Sequence, residues 1–305
     1  MWTGLPRTST GTGAMASNSQ RLAGRVALVT GASRGLGHDI ALGFAGEGAA
    51  VAVAARTLTP GPGLPGSLEQ TVAEIRARNG VAEAFACDVQ LDADLVAVVD
   101  GVRDRLGTID ILVNNAALTV PGRPGAAPPS LPRGGTSPTP GFLDIPAKAY
   151  RRSFEVGLFP LFRLSQLVLP GMLAARRGSI INIGSDSARK PGEGPWSHSG
   201  QWMLYGYGGS KIAVEHLSHS LAYEFVGTGV TVNALLTSRP LDSPGLRHMT
   251  PGYVGTPTDS FVEAAVRLAS GETGFTGRSI YHEDLLYDGP PRGWQGGLGA
   301  DTEPA

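Results

Sequence analysis

The sequence predicts an α/β protein: a doubly wound parallel sheet of about seven strands with helices on both faces. Three observations predict it. From Arg25 onward, short apolar runs alternate with segments whose apolar residues recur at helical spacing. A glycine-rich loop joins the first apolar run to the first helical segment. No internal repeat and no linker between two cores interrupts this rhythm, so one domain accounts for it.

The elements follow in order. "RVALVTG" (25–31) is a short apolar run ending in glycine, the pattern of a buried strand. "HDIALGFAGEG" (38–48) spaces Ile40 and Phe44 one helical turn apart and stops at glycine. "AVAVAAR" (50–56) reads as a second buried strand. "LEQTVAEIRARNG" (68–80) puts Leu68, Val72 and Ile75 on one helical face and ends on Asn79-Gly80. "AEAFACDV" (82–89) is a strand, and "DLVAVVDGVRDRLG" (94–107) returns to helical spacing. "IDILVNNA" (109–116), "SIINIGS" (179–185) and "VTVNALL" (230–236) are strands with helices between them, and "SIYHEDLL" (279–286) reads as the last strand. The predicted domain spans 22–289, between a flexible leader (1–21) and a flexible tail (290–305). Two segments break the alternation. "VPGRPGAAPPSLPRGGTSPTPG" (120–141) is too rich in proline and glycine for a helix or central strand, and "ARKPGEGPWSHSGQW" (188–202) is a second long loop. Both leave the carboxyl ends of strands, where an open parallel sheet binds its ligand, so both are expected to rim the site.

Bulk properties exclude some classes. Among 305 residues the formal net charge is −1, with no basic stripe, so nucleic acid is not an expected partner. Cys87 is the only cysteine, which excludes an intrachain disulfide and fits a cytoplasmic setting. No apolar run is read as a membrane span. The leader lacks an apolar core like that of a secretory signal, and Met15 is an alternative start. His216 and His219 lie three apart on a helix without a third ligand in view, so no metal is expected.

The chemistry begins in "TGASRGLG" (30–37). Glycines between a strand and a helix let the backbone approach a pyrophosphate, which the helix N-terminus then receives with N–H groups and a positive dipole end. The spacing is TGxxxGxG. "NNAA" (114–117) follows the fourth strand and "CDV" (87–89) ends the third. With these elements the chain resembles the short-chain dehydrogenase/reductase family, classical type, over about residues 24–289, and the resemblance implies a Rossmann-type fold. It implies that Gly31, Ser33, Arg34, Gly35, Leu36 and Gly37 hold the cofactor's phosphates, that Asp88 beside Val89 contacts adenine, and that Asn115 belongs to the same site. The second strand ends in "AART" with no acid to bind a ribose 2′-hydroxyl. Arg34 and Arg56 offer two guanidinium groups, which suit a 2′-phosphate, so the expected cofactor is NADP(H).

"LYGYGGSK" (204–211) places two tyrosines ahead of one lysine. Tyr207 is four residues before Lys211, the spacing of neighbours on a helix face; Tyr205 is six before it. "YGGSK" also matches the family's YxxxK signature, which implies that Tyr207 is the acid/base and that Lys211 binds the ribose. A free phenol titrates near about 10, and a lysine cation together with a charged nicotinamide is expected to pull it down. "INIGS" ends at Ser185, which the resemblance makes the catalytic serine, with Ser187 as the nearby rival.

Two departures stand out. The family's relay asparagine corresponds to Gly157, and Thr237 and Ser238 replace the usual Pro-Gly after the sixth strand. The expected activity is interconversion of a carbonyl and an alcohol on a small molecule. Phe142, Phe159, Trp196, Trp202 and Met203, in or near the two insertions, point to an apolar substrate. A degenerate relative that binds NADP(H) without turnover is the alternative, and enoyl thioester reduction is a third reading. The helix after Lys211 carries a stripe of Ala213, Leu217, Leu221 and Phe225, and the resemblance implies packing in a homodimer or homotetramer.

Overall fold

The computed structural model describes residues 20–117, 145–189, 204–249 and 251–287. It contains one seven-stranded sheet in the order β3-β2-β1-β4-β5-β6-β7, with every pairing parallel. The strands are β1 (Val26–Thr30), β2 (Ala50–Ala55), β3 (Val81–Ala86), β4 (Ile111–Asn114), β5 (Gly178–Ile183), β6 (Val230–Leu236) and β7 (Ser279–Tyr281). The helices are α1 (Gly35–Gly46), α2 (Leu68–Ala77), α3 (Asp92–Arg105), α4 (Ala147–Gly157), α5 (Phe159–Ala175), α6 (Gly209–Glu224), α7 (Pro244–Met249), α8 (Asp259–Ser270) and α9 (His282–Leu285).

The central strands are buried at nearly every position and mostly apolar because both sheet faces are covered. Alternate side chains enter different cores. Ala27 and Val29 of β1 join Ile111 and Val113 of β4 and Ile181 and Ile183 of β5 on the face under α1, α2 and α8. Val26, Leu28, Leu112 and Ile180 point the other way, against α3, α5 and α6. Leu28 is fully buried, and truncating such a residue to alanine costs about 2–5 kcal/mol.

Local signals set several ends. Ser67 caps α2 by accepting from the Gln70 N–H at 3.2 Å, and α2 stops before Asn79, which takes the left-handed conformation at φ 61°. β7 is shorter than the sequence pattern implies. Only Ser279–Tyr281 pair with β6, and the rest of the run turns into α9, because His282 buries its ring against Phe261 instead of continuing the ladder. The segment 154–166 is divided between two helices: α4 ends at Gly157 and α5 begins at Phe159.

Taken end to end, residues 147–175 have the length of a bilayer span and contain an 18-residue window of mean hydropathy 1.4, which the sequence reading did not anticipate. The break at Leu158 divides them, and α5 packs Leu161, Leu164, Val168, Leu169 and Met172 into the protein, as a core helix does.

The strand order reverses between β1 and β4, where crossovers leave in opposite directions and a crevice opens at the carboxyl ends. Thr30, Ala55, Asn114, Ile183 and Leu236 all end their strands on this side.

Candidate active site

The loop from β1 to α1 lies over the crevice. Gly31 and Gly35 have φ of +68° and +54°, a region that disfavours side chains. A Cβ on Gly37 would meet the Asn115 amide nitrogen and stand 2.5 Å from the Gly31 carbonyl oxygen, so only glycine lets α1 begin this close to β1. No side chain caps α1, whose first N–H groups therefore face the crevice as donors for an anion. Asn115 braces the loop: its amide donates to the Thr30 carbonyl at 2.9 Å, and its backbone N–H donates to Thr30 Oγ1 at 3.0 Å. Its role in the structure is to hold the loop's shape. Ser33 is buried and Leu36 packs against the core beneath the loop. Asp88 Oδ1 accepts from the Gln90 backbone and side chain, which fixes the carboxylate beyond β3, next to Val89.

Arg34 of this loop lies near enough to Arg56, after β2, to feel its charge. Arg34 Nη2 donates to Thr57 Oγ1 at 3.1 Å and to the Gly66 carbonyl at 2.9 Å. Its Nε is buried without a hydrogen-bond partner. Burial, and then the Arg56 cation, hold the Arg34 guanidinium below its ordinary value. Two cations close enough to repel, one with an orphaned buried donor, are residues that could hold an anionic group.

Ser185 follows β5, and Asp186–Arg189 form a 3-10 turn immediately after it. The Ser187 N–H donates to Ser185 Oγ at 3.2 Å, and the Ser185 hydroxyl lies near enough to the Tyr207 hydroxyl to favour its charged form. The structure thus brings together Ser185 and Tyr207, with Ser187 as a buttress. Tyr207 does not lie on a regular α-helix. Leu204–Gly208 form a π-helical turn, and α6 begins only at Gly209. The four-residue offset still serves, because Lys211 Nζ reaches to 5.5 Å from the Tyr207 ring centroid. Tyr205 is exposed.

Lys211 is 3% exposed and donates to the Ile183 carbonyl at 2.6 Å. Burial pulls its ammonium down to about 8. In the protein alone the Tyr207 phenol is shifted upward, whereas the expected depression counted a charged nicotinamide as well as Lys211. Burial raises the phenol, and the nearby Ser185 hydroxyl only partly opposes that rise. Desolvation wins because Lys211 lies beside the ring with its ammonium turned to a carbonyl.

Both departures from the family pattern have local reasons. α4 packs tightly on the π-helical turn. A Cβ on Gly206 would stand 2.6 Å from Ser153 Oγ, and one on Gly157 would stand 3.3 Å from Ser210 Oγ. Ser210 in turn donates to the Tyr207 carbonyl at 2.7 Å. An asparagine at 157 would press on the residue that holds this turn. After β6, Thr237 makes the turn that Pro-Gly would make: its hydroxyl donates to the Arg239 carbonyl at 2.5 Å, and its own carbonyl accepts from the Asp186 N–H at 3.2 Å.

Sequence reasoning missed the polar chain beneath the site. Asn114 donates to Asn182 at 2.9 Å, and Asn182 donates to Ser218 at 2.8 Å, all buried. An asparagine inside the apolar run "SIINIGS" was the available signal. His219 shares a hydrogen with Ser279 Oγ at 3.0 Å, and among the described residues no three His, Cys, Asp or Glu side chains cluster as a metal site requires. The 120–141 insertion, Phe142, Trp196, Trp202 and Met203 lie outside the described residues. Phe159 is described and stands exposed on α5.

Comparison with known proteins decides the family. The short chain dehydrogenase family model matches residues 25–239. The chain belongs to the short-chain dehydrogenase family. A 7alpha-hydroxysteroid dehydrogenase of Escherichia coli (strain K12) is 31% identical over 266 residues, covering 83% of this chain and 90% of that protein. The fluoren-9-ol dehydrogenase of a Terrabacter species is 30% identical over 90% of this chain and 76% of its own length. A (+)-borneol dehydrogenase 2 of Salvia officinalis is 31% identical over 75% of this chain and 69% of its own. A solved 7 alpha-hydroxysteroid dehydrogenase, complexed with NADH and 7-oxo glycochenodeoxycholic acid, superposes with TM-score 0.67 at 26% identity, covering 88% of this chain and 96% of that one. The family's nicotinamide chemistry fits the glycine loop and the Ser185–Tyr207–Lys211 group described above.

Proposed function

We propose that this dehydrogenase uses NADP(H) to interconvert a carbonyl and an alcohol on an apolar small molecule. The convergence of Ser185, Tyr207 and the buried Lys211 at the end of β5 carries the reading. When bound, the nicotinamide supplies or accepts the hydride. In reduction the substrate oxygen takes its proton from the Tyr207 hydroxyl, and Ser185 orients that oxygen. Burial keeps the phenol protonated, the form an acid needs. In oxidation the same oxygens act in reverse.

The Arg34–Arg56 pair, with its orphaned Nε and no acid at the end of β2, favours a 2′-phosphate over a bare diol. The named relatives act on a hydroxysteroid, borneol and fluorenol, all alcohols on rigid apolar rings, and this supports an apolar ring substrate here. Exposed Tyr150, Phe159, Phe162, Ile212, Tyr223 and Val226 on or near α4, α5 and α6 favour a second copy of the chain as partner. A cytoplasmic setting fits the single buried Cys87.

The test is turnover of purified protein with NADPH and with NADH against a panel of ring ketones and their alcohols. NADPH-linked reduction of at least one ketone is expected. NADPH binding without turnover on any member would overturn the catalytic reading in favour of a binding role.

A further inference from the structure

The turn that presents Ser185 is held by side chains to which the chemistry above gives no part. Arg189, the last residue of the turn, donates from Nη1 and Nη2 to Glu215 Oε1 and Oε2 at 3.0 and 2.8 Å. This is a bidentate pair, and the Glu215 side chain is only 12% exposed. Glu215 lies one helical turn beyond Lys211 on α6. On the other side of the turn, Tyr281 at the end of β7 donates to Asp186 Oδ1 at 2.7 Å. The Arg189 guanidinium stands 5.4 Å from the Tyr281 ring centroid, so the two links touch. Burial and the Asp186 carboxylate push the Tyr281 phenol up to about 12, which keeps it a donor across the working range.

These contacts bracket Ser185. Lys211 ties α6 to Ile183, two residues before the serine, and Glu215 ties the same helix to Arg189, four residues after it. Tyr207 enters α6 just ahead of Lys211, so both brackets fix one distance: that between the Ser185 and Tyr207 hydroxyls. We propose that Arg189, Glu215 and Tyr281 are positioning residues that set the Ser185–Tyr207 register and so control the rate of proton transfer to the substrate oxygen. This rests on the proton-transfer reading above. The physical basis is that two groups on separate elements keep a productive geometry only if neighbouring links over-determine it, and a misplacement of about 1 Å costs on the order of 10²-fold in rate.

The test uses the full chain with 3-fluorotyrosine at position 207, read by fluorine NMR, alongside steady-state kinetics with NADPH. The variants are Arg189→Gln, Glu215→Gln, their double, and Tyr281→Phe. In the first two, the position-207 phenol is expected to titrate at higher pH than in the parent, because the Ser185 hydroxyl that favours the phenolate moves away. kcat is expected to fall on the order of 10²-fold, with the substrate KM and the NADPH Kd nearly unchanged. The double variant should be no worse than either single, since both break one link. Tyr281→Phe removes one hydroxyl and no charge, so it reports even if an Arg189 variant does not fold; a smaller shift in the same direction is expected. An unmoved titration with unmoved kcat, or a change confined to KM, or additive losses in the double would each overturn the proposal. A parent that reduces no ketone would overturn the proposed function, while the fluorotyrosine titration would still decide the bracket.

Discussion

Lys211 offers a prediction that needs no substrate. Its side chain is 3% exposed, and burial draws its ammonium down to about 8. In the unfolded chain the same group titrates near about 10.4. Between these values the folded protein binds fewer protons than the unfolded chain, so stability rises with pH through that window. The penalty of the buried cation is full below about pH 8 and gone above about pH 10.5. A gap of this size amounts to about 3 kcal/mol near neutrality, of which about 2 kcal/mol is relieved between about pH 7 and about pH 9.5. Lys211→Met removes the titrating group and keeps most of the volume. Urea unfolding of both proteins, at several pH values from about 7 to about 9.5, reads the difference. Wild type is expected to gain on the variant by about 2 kcal/mol across the range. Comparing two proteins that differ at one residue cancels Cys87, whose thiol burial pushes up to about 12 and whose own effect runs the opposite way above its unfolded value. Parallel stability profiles would refute the reasoning, because they would mean that the ammonium keeps its ordinary value in the fold.

Three further outcomes are expected. Tyr207→Phe should lower kcat by on the order of 10²–10⁴ while leaving NADPH affinity in place, whereas Tyr205→Phe, on an exposed ring, should change little; steady-state kinetics on any turned-over ketone checks both. Arg56→Asp should weaken NADPH binding by about 10- to 100-fold and spare NADH, as loss of a charge-assisted bond to phosphate would; calorimetric titration with both cofactors reads it, and equal losses for the two would sink the 2′-phosphate assignment. Gly37→Ala drives a Cβ into the Asn115 amide and the Gly31 carbonyl, so it should cost about 1–3 kcal/mol by urea unfolding and reduce binding of either cofactor.

Much of this protein is local in origin and therefore readable from the chain. A strand covered on both faces must be apolar at successive positions, and a helix over a sheet must repeat its apolar residues at helical spacing, so "RVALVTG", "AVAVAAR" and "LEQTVAEIRARNG" announce their own elements. The glycine loop is local too: positive φ at Gly31 and Gly35 and the close approach at Gly37 are demands that few other residues meet. Tyr207 and Lys211 are four residues apart, and that spacing brings them together whether the turn between them is α or π. What joins distant segments was decided only by tertiary structure. The break after Gly157 has a local signal in Pro160, which has no N–H to continue the α4 ladder, but the close fit of α4 on the Tyr207 turn at Gly157 and Gly206 rests on contacts that no window of sequence contains. The end of β7 follows from where His282 finds Phe261. The upward shift of the Tyr207 phenol in the protein alone is of the same kind: a spacing rule counts charges but not the water removed from around them, and burial is a property of the assembled core. The brackets around Ser185 are of the same kind, for Arg189 and Glu215 are 26 positions apart and Asp186 and Tyr281 are 95 apart. Their pairing exists only once the parallel sheet has set β5, α6 and β7 side by side.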